Sequence, residues 1–561
     1  MNKAGAFHNS CFMGTKRFRK NLLLSPIKRT LFIYLFILNL ISNFGVYFYL
    51  NGWIPVFCMV MLAAWLAYME VALFLLIRWK SLQFMWISFV VLLHNIFILL
   101  DYYLYFQFKT AFGQDAINVL AETNIVEAKN FFDTYLSYTN ILLWLLFLLV
   151  SNVVIYKISS WVVHVYIGTI VSFSFVLLGW LIVTLFVYNF SVYRNGLDIP
   201  LYLTTTRVGY ALYNMYHTTQ NVVVLRDVCR KTKAVCSLKD QPTMVLVIGE
   251  SHSVYHSSLY GYDKLTMPCM QKRVNDSTLF VFDNVVSTAC GTHKAMLSIF
   301  SLDSLGNGFA ETPLFPACFK AAGYKVLMYD NQYFIGNSML FLSDSKLSGL
   351  LFDERNTERY NHDMEMINTI HEVDYPALYI IHLWGQHYTY SERYPKSYSL
   401  FCSNDYDKSR WTEDQREIIA HYDNATYYVD KVLDEIIRRF EDKNCCLVYL
   451  SDHGEEIYEL SNYIGHGSAE HSTDLNYQIR VPFLIWTSNS YSRPEIVNKL
   501  SSLQHIPITT DDVSHLLIDL AGIQTPSFKP TRSVVNSRYN RNKRRMVLNS
   551  IDYDSYQPQQ R

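Results

Sequence analysis

The chain has 561 residues, and its 48 acidic and 48 basic residues give a formal net charge of zero at pH 7. This balance gives no indication of nucleic acid as a partner, because such proteins usually carry a basic surface excess. Hydrophobic residues make up 51% of the chain and are concentrated in its first third. The uneven distribution predicts a membrane-embedded N-terminal part followed by a water-soluble domain.

Five apolar runs within residues 1–195 predict a transmembrane domain of five helices. The runs cover residues 30–50, 53–77, 83–106, 138–158 and 161–190. Each is close to the roughly 20 residues that a helix needs to cross a bilayer. The first run is too long for a signal peptide, so we expect a retained anchor. Inside the spans, Glu70 and His94 are expected to pair, and Asp101 falls near a span end.

Basic residues predict the orientation of these spans, because Lys and Arg mark the cytoplasmic side. They precede the first run at positions 16, 17, 19, 20, 28 and 29, separate the second and third runs at Arg78 and Lys80, and end the fourth at Lys157. The N-terminus is therefore predicted to be cytoplasmic. Five spans then place the remainder of the chain on the far side of the membrane, which for a bacterial chain is the periplasm or the cell exterior. We expect a multi-pass protein of the bacterial inner membrane with its catalytic domain in the periplasm.

Two polar segments are expected to lie against the membrane surface. Residues 112–137 carry Asn118, Thr123 and Glu127 between apolar positions. Residues 196–240 carry tyrosines at 202, 210, 213 and 216, which is approximately helical spacing. Tyrosine favours the headgroup level of a bilayer, although ordinary helix packing produces the same pattern. We interpret 196–240 as an interfacial helical linker.

From residue 241 to residue 538, short apolar strands alternate with helical stretches. The predicted strands cover 244–248, 325–329, 377–381, 446–450 and 481–486. This alternation predicts a periplasmic catalytic α/β domain with a largely parallel sheet. Polar side chains follow four of these strands: Glu250, then Asp330 and Asn331, then His382, then Asp452 and His453. Parallel sheets gather ligands at the carboxyl ends of their strands, so these side chains are predicted to converge.

The converging residue types indicate a metal site, since Zn²⁺ binds carboxylate oxygen and imidazole nitrogen. Each residue has an ordinary alternative: Asp452 could cap a helix, Glu250 could occupy a first helical turn, and His382 or His387 could be a core or surface histidine. Their order at successive strand ends favours the metal. A hydroxyl placed against such a metal, here that of Thr292, becomes a nucleophile.

Several short motifs, taken together, resemble one enzyme family. They are Gly249-Glu250-Ser251, Ser258-Leu259-Tyr260-Gly261-Tyr262, Phe282-Asp283-Asn284-Val285 leading to Thr292, His382 to His387, Ser451-Asp452-His453-Gly454-Glu455, His466-Gly467 and Val481-Pro482. The chain resembles phosphoethanolamine transferases that modify lipid A or the lipopolysaccharide core, within the alkaline phosphatase and sulfatase superfamily. The resemblance covers nearly the whole length and implies an N-terminal five-helix transmembrane bundle plus an α/β alkaline-phosphatase-like (sulfatase-like) catalytic domain.

The resemblance also implies roles for individual residues. Zinc would be bound by Glu250, Thr292, Asp452 and His453, with Thr292 as the nucleophile and Ser287 and Thr288 as its local competitors. The catalytic histidines would be His382, His387 and His466, and the substrate-binding residues Asn118, Thr123, Glu127 and Asn331. The donor would be phosphatidylethanolamine in the same lipid bilayer, the acceptor lipid A or lipopolysaccharide core, and the intermediate a phospho-threonine.

The sequence departs from the family pattern at two places. Val119 fills the position of an expected asparagine beside Asn118, and Ser298 stands where the lipid A enzymes have a second cysteine to pair with Cys290. That disulfide is therefore expected to be absent or rearranged. The nearer alternative is a glycerophosphate transferase similar to lipoteichoic acid synthases, which uses Mn²⁺ or Mg²⁺. The other is a membrane-bound sulfatase-like hydrolase, but Thr292 and Lys294 replace its diagnostic proline and arginine.

The remaining predictions concern cysteines and the C-terminus. Eight of the ten cysteines are expected in the oxidising compartment, with Cys229 and Cys236 as the predicted disulfide and Cys445 and Cys446 free on a buried strand. The basic segment 539–561 is predicted to be a flexible, solvated tail. Attraction to anionic lipid headgroups is the second interpretation of that tail.

Overall fold

The computed structural model describes residues 26–43, 53–108, 112, 142–143, 145–150, 152–154, 204–303, 310–332, 345–356, 358, 360–373, 376–460, 463–466 and 474–556. The chain divides into two compact units, Met1–Tyr216 and His217–Arg561. Each unit is described by itself below.

The first unit is helical where it is described. Its helices are α1 (Pro26–Ile41), α2 (Trp53–Leu76), α3 (Lys80–Phe108) and the first half of α4 (Thr204–Arg230). Large apolar side chains of α3 face outward, among them Phe84, which is 71% exposed. The predicted pair inside the spans is confirmed, because His94 Nε2 lies 2.9 Å from Glu70 Oε1. Asp101 accepts a hydrogen bond from the backbone N–H of Phe112.

Within the described residues, one helical stretch, Lys80–Tyr105, is long and apolar enough to cross a membrane. Shorter apolar helices occupy Thr30–Ile41, Met59–Val71 and Leu145–Val154. The fifth predicted span lies outside the described residues, as do Asn118, Thr123 and Glu127. The count of five spans therefore stays a prediction.

The second unit is built around a seven-stranded sheet with the order β3-β11-β8-β2-β7-β5-β6. Its strands are β2 (Thr243–Gly249), β3 (Leu279–Phe282), β5 (Lys325–Asp330), β6 (Glu354–Arg355), β7 (Ala377–His382), β8 (Cys445–Ser451) and β11 (Phe483–Thr487). The five strands from β8 to β6 are mutually parallel, and β11 runs antiparallel to both β3 and β8. The predicted α/β domain with a largely parallel sheet is confirmed.

Short strands and helices complete this unit. The two-residue strands are β1 (Val235–Cys236), β4 (Val285–Val286), β9 (Glu456–Ile457), β10 (Ile464–Gly465), β12 (Ile508–Thr509), β13 (Ile523–Gln524), β14 (Met546–Val547) and β15 (Ile551–Asp552). The helices are α5 (Pro268–Asn275), α6 (Thr292–Phe300), α7 (Phe315–Ala321), α8 (Ser345–Leu351), α9 (Asp363–Ile367), α10 (Glu413–Phe440), α11 (Asn476–Ile479), α12 (Pro494–Leu503) and α13 (Val513–Leu520).

Both faces of the sheet are covered by packed side chains. Along β2, Met244, Leu246 and Ile248 belong to one apolar cluster, whereas Val245 and Val247 belong to the other. Successive strand residues point to opposite faces, so an uninterrupted apolar strand is what a sheet buried on both sides requires. The site is consequently confined to the edges of the sheet.

Two predictions about this unit are wrong. Cys229 and Cys236 do not form the predicted disulfide; Cys290, Cys445 and Cys446 form no disulfide either, as expected. Cys229 lies in α4 and Cys236 in β1, which pairs with β13, so closeness in sequence did not bring the two thiols into a bond.

The basic C-terminal segment is also not a flexible tail over residues 539–556. Arg545 is buried, pairs with Asp554 and donates to the backbone oxygen of Asn284 at 3.2 Å. The backbone N–H of Leu548 donates to the carbonyl of Thr288 at 2.8 Å. The segment is therefore packed against the loop that leads to Thr292.

Candidate active site

Two neighbouring parallel strands bring the first ligands together. In the register of β2 and β8, Gly249 lies opposite Ser451, so Glu250 and Asp452 follow at the same level of the sheet edge. The backbone N–H of Ser251 donates to Asp452 Oδ1 at 3.2 Å. Glu250, Asp452 and His453 are all fully buried. The predicted convergence at strand ends is present in the structure.

Thr292 joins these residues from the first position of α6. Its hydroxyl lies 3.1 Å from Glu250 Oε2 and 3.3 Å from His453 Nε2. Thr292 is half-buried and therefore reachable. The two competing hydroxyls have other partners: Ser287 donates to the carbonyl of Asp452 and Thr288 donates to Ser298.

The buried group of Glu250, Asp452 and His453 has more negative than positive charge when both carboxylates are ionised. Burial, reinforced by the nearby Glu250, raises the pKa of Asp452 to about 7. Burial opposes the charged form of His453, yet Asp452 and Glu250 together raise the pKa of its imidazole to about 10. Burial likewise opposes ionisation of Glu250, but His453 holds its pKa well below the usual range. Two buried carboxylates thus compete for one imidazole, a situation that an added cation would relieve.

The geometry of these atoms fits a tetrahedral cation. His453 Nε2 lies 3.3 Å from Glu250 Oε1 and 3.3 Å from Asp452 Oδ2. Ligand bonds of 2.0–2.2 Å in a tetrahedron place neighbouring ligand atoms roughly 3.3–3.6 Å apart. Asp452 Oδ2 is buried without a hydrogen-bond partner, as expected of an atom reserved for a metal. Mixed carboxylate and imidazole donors suit zinc.

His466 stands beside this group. Its ring centroid lies 4.0 Å from that of His453, and its Nδ1 contacts Glu455 Oε2. The second oxygen of Glu455 accepts a hydrogen bond from Tyr390 at 2.6 Å. Side-chain atoms of Glu250, His453 and His466 lie within 4.8 Å of one another, so His466 is a further potential metal ligand. Glu455 fixes the orientation of the ring, since a carboxylate on one nitrogen leaves the other free to act.

His382 approaches from the other side of Glu250. Its Nδ1 lies 2.9 Å from Asp330 Oδ1, and that carboxylate raises the pKa of His382 against the opposing effect of burial. Gln332 Nε2 lies 3.0 Å from both Glu250 Oε2 and His382 Nε2. Gln332, which the sequence analysis missed, therefore links the two.

The other predicted residues are placed differently. Asn331 does not join the group, because its amide donates to Asp363 at 2.9 Å and accepts from the backbone N–H of Tyr360. Burial lowers the pKa of His387 to about 3. The charge of Glu250 opposes this shift, whereas His453 and His466 add to it.

The matching of residues 242–523 to the sulfatase family model covers half of the chain, and the chain belongs to that family. The resemblance to phosphoethanolamine transferases is confirmed by named relatives. Phosphoethanolamine transferase EptC of Escherichia coli (strain K12) is 28% identical over 462 residues, which is 78% of this chain and 79% of the relative. Phosphoethanolamine transferase CptA of Salmonella typhimurium is 27% identical over 468 residues, with the same shares covered.

Solved structures show the same likeness. The C-terminal periplasmic domain of EptC from Escherichia coli has a TM-score of 0.50 and 28% identity, covering 58% of this chain and 96% of that domain. The same domain was also solved in complex with zinc. The integral membrane protein EptA of Neisseria meningitidis has a TM-score of 0.59 and covers 90% of this chain and 96% of that one. At 17% identity, this last match supports the fold alone.

Proposed function

We propose that this chain transfers phosphoethanolamine from phosphatidylethanolamine to lipid A or lipopolysaccharide core, from the periplasmic face of a bacterial inner membrane. The observation that carries the proposal is the half-buried hydroxyl of Thr292, 3.1 Å from Glu250 and 3.3 Å from His453. The names of the relatives supply the substrate class.

Thr292 is proposed as the nucleophile. Its oxygen attacks the phosphorus of the donor, the bond from phosphorus to the diacylglycerol oxygen breaks, and phosphoethanolamine remains on the threonine. The acceptor oxygen then attacks the same phosphorus and releases Thr292. Thr292 begins α6, and the N-terminal end of a helix favours the negative charge of an arriving phosphate.

The zinc ligands are proposed to be Glu250, Thr292, Asp452 and His453. Zinc in such a site stabilises a deprotonated hydroxyl and offsets phosphoryl charge. His466, which contacts Glu455, and His382, which contacts Asp330, are proposed to donate a proton to the departing oxygen or to accept one from the acceptor. His387 is proposed to contact the phosphoryl group. The proposed donor contacts at Asn118, Thr123 and Glu127 lie outside the described residues, and Asn331 has the least support because its amide is used elsewhere.

Mass spectrometry of lipid A and core oligosaccharide from cells that carry the full chain tests the proposal. A phosphoethanolamine increment is expected with the native chain and with Thr288→Ala. Thr292→Ala is expected to reduce it at least about 10³-fold, because the nucleophile is removed. If the covalent intermediate is trapped by denaturing the protein during turnover, the peptide that contains Thr292 should carry phosphoethanolamine. A glycerophosphate increment, or an unchanged yield with Thr292→Ala, would contradict the proposal.

A further inference from the structure

A pocket in the catalytic unit is lined by residues other than those of the Thr292 group. Its volume is about 420 Å³, within the range of small-ligand sites. It is lined by Val254, Tyr255, Leu259, Tyr260, Gly261, Tyr262, Asp263, Asp283 and Arg480. We call it the Tyr-Arg pocket. Two motifs that contribute nothing to the Thr292 group, 258–262 and 282–285, both supply residues to its wall.

The Tyr-Arg pocket lies at the same edge of the sheet as Thr292. Tyr260 bonds the backbone of Phe483, which pairs with Leu450 near the carboxyl end of β8. Asp283 directly follows the carboxyl end of β3, which runs parallel to β8. Tyr255 is five residues from Glu250, so the two are at most roughly 17 Å apart along the chain. Ligands of such sheets bind outside these strand ends.

Three tyrosine rings are held in fixed positions around the pocket. The hydroxyl of Tyr260 accepts from the backbone N–H of Phe483 at 2.7 Å. The hydroxyl of Tyr262 donates to Asp423 at 2.7 Å, and the ring of Tyr255 lies 4.4 Å from that of Tyr477. All three side chains remain half-buried. The hydroxyls of Tyr260 and Tyr262 are bonded to protein groups outside the pocket, so these two residues offer it ring surface that loses little freedom on binding a ligand.

Gly261 makes this arrangement possible. Its φ of +94° ends the short helical turn at residues 258–260, and a side chain there would be strained. The turn reverses the chain between Tyr260 and Tyr262.

The guanidinium of Arg480 provides a charge at the pocket without a matching carboxylate. Its nitrogens contact the Tyr255 hydroxyl at 3.5 Å and the carbonyl of Asp283 at 3.2 Å, both neutral acceptors. Among the described residues, no carboxylate forms an ion pair with it. The carboxylate of Asp263 is 78% exposed and lies 3.9 Å from the ammonium of Lys264, whereas the carboxylate of Asp283 pairs with a histidine that does not line the pocket. The pocket thus presents aromatic surface, the guanidinium of Arg480 and the exposed carboxylate oxygens of Asp263.

From this combination we infer that the Tyr-Arg pocket binds an anionic saccharide unit of the acceptor. A sugar ring offers apolar C–H faces to tyrosine rings and hydroxyl donors to Asp263. A phosphate or carboxylate substituent on the sugar pairs with Arg480, because guanidinium recognises both groups. The inference rests on the proposed transfer to a lipopolysaccharide acceptor and assigns the part of the protein that selects it.

Calorimetric titration of the purified full chain in detergent tests the inference. The probes are acidic oligosaccharide released from lipopolysaccharide core, the same oligosaccharide after phosphatase treatment, phosphoethanolamine and inorganic phosphate. The acidic oligosaccharide is expected to bind, and Arg480→Gln is expected to weaken its binding about tenfold. The matched control is Lys499→Gln, which removes one charge from an exposed position of α12 and leaves binding unchanged.

Kinetics separate recognition of the acceptor from chemistry. Arg480→Gln and Tyr255→Ala are expected to raise KM for the saccharide acceptor while labelling of Thr292 by the donor keeps its rate. Hydrogen exchange of residues 254–263 in the native chain, with and without oligosaccharide, needs no variant and is expected to show protection. Equal binding by Arg480→Gln, preferential binding of phosphoethanolamine or phosphate, or absence of saccharide binding would overturn the inference. Failure of the donor to label Thr292 in the native chain would instead contradict the proposed function. The titration would still show whether the pocket binds the oligosaccharide, because it measures binding and not transfer.

Discussion

Two pairs of buried carboxylates in the catalytic unit differ in how their charge is neutralised. Asp511 and Asp512 lie among two cations of the chain: Arg532 pairs with them at 2.7 and 2.8 Å, and Lys543 at 3.1 and 2.7 Å. Two negative charges thus meet two positive ones.

Glu250 and Asp452 both pair with the imidazole of His453, and among the described residues no lysine or arginine forms an ion pair with either carboxylate; Asp452 Oδ2 has no hydrogen-bond partner. Burial of uncompensated charge is costly, so a fold retains it only where something else completes the site. The difference indicates that the first pair stabilises the fold, whereas the second pair is a candidate site for a metal ion. Three measurements test this distinction.

The largest effect is expected from removing a cation of the balanced pair. Arg532→Met leaves Asp511 and Asp512 with Lys543 alone, and should lower the free energy of unfolding by about 3–5 kcal/mol. Urea unfolding of the native and variant chains measures the change. The zinc content of the folded variant should match that of the native chain. Loss of zinc together with stability would show that the two pairs are not independent.

Addition of zinc should stabilise the unbalanced site. At a free concentration 100 times the dissociation constant, binding to the folded state adds about 2.7 kcal/mol. Thermal unfolding with and without zinc measures this in the native chain and in Asp452→Asn, which keeps the shape but removes a ligand. The variant should show little response. An equal rise in both would place the metal elsewhere.

The smallest effect concerns pH. Burial raises the pKa of Asp511, but Lys543 and Arg532 outweigh it and lower that pKa to about 2. The ordinary value in an unfolded chain is about 3.9, so this group contributes stability above about pH 4 that is lost as the pH falls towards 2. The contribution is about 2 kcal/mol, because burial and Asp511 raise the pKa of Asp512 and offset part of it.

Comparing the free energies of unfolding of the native chain and Asp511→Asn at pH 7 and pH 3 tests this sign. The deficit of the variant should shrink at pH 3. A deficit that stays constant or grows would mean that the charge of Asp511 is not what stabilises the pair.

The convergence of the candidate ligands at one edge of the sheet could be predicted from the sequence because it follows from topology. Glu250, His382 and Asp452 come directly after apolar strands, and parallel strands end at one edge. The place of Thr292 rested on the resemblance to a known family, since its loop has no periodic pattern. Gln332 and Glu455 were missed for a different reason: an amide and a further carboxylate carry no signal until their partners are known.

Predictions that depended on side-chain partners outside the regular strand pattern failed. The spacing of Cys229 and Cys236 gave no information on whether their thiols meet. The positive charge of Arg545 led to the prediction of a solvated side chain. Its partner atom on Asn284 lies 261 positions earlier in the chain, so the sequence around Arg545 gave no sign of the contact. Burial of a charged side chain depends on a partner, and the sequence does not show which segment provides it.

The contact of the C-terminal segment with the loop before Thr292 sets an order of events during biosynthesis. Residues 284–292 are synthesised long before Arg545 and Leu548, which contact this loop at Asn284 and Thr288. A chain whose last residues have not yet been made therefore leaves this loop without two of its backbone contacts. The surroundings of Thr292 are completed only by the C-terminal segment, which is synthesised last.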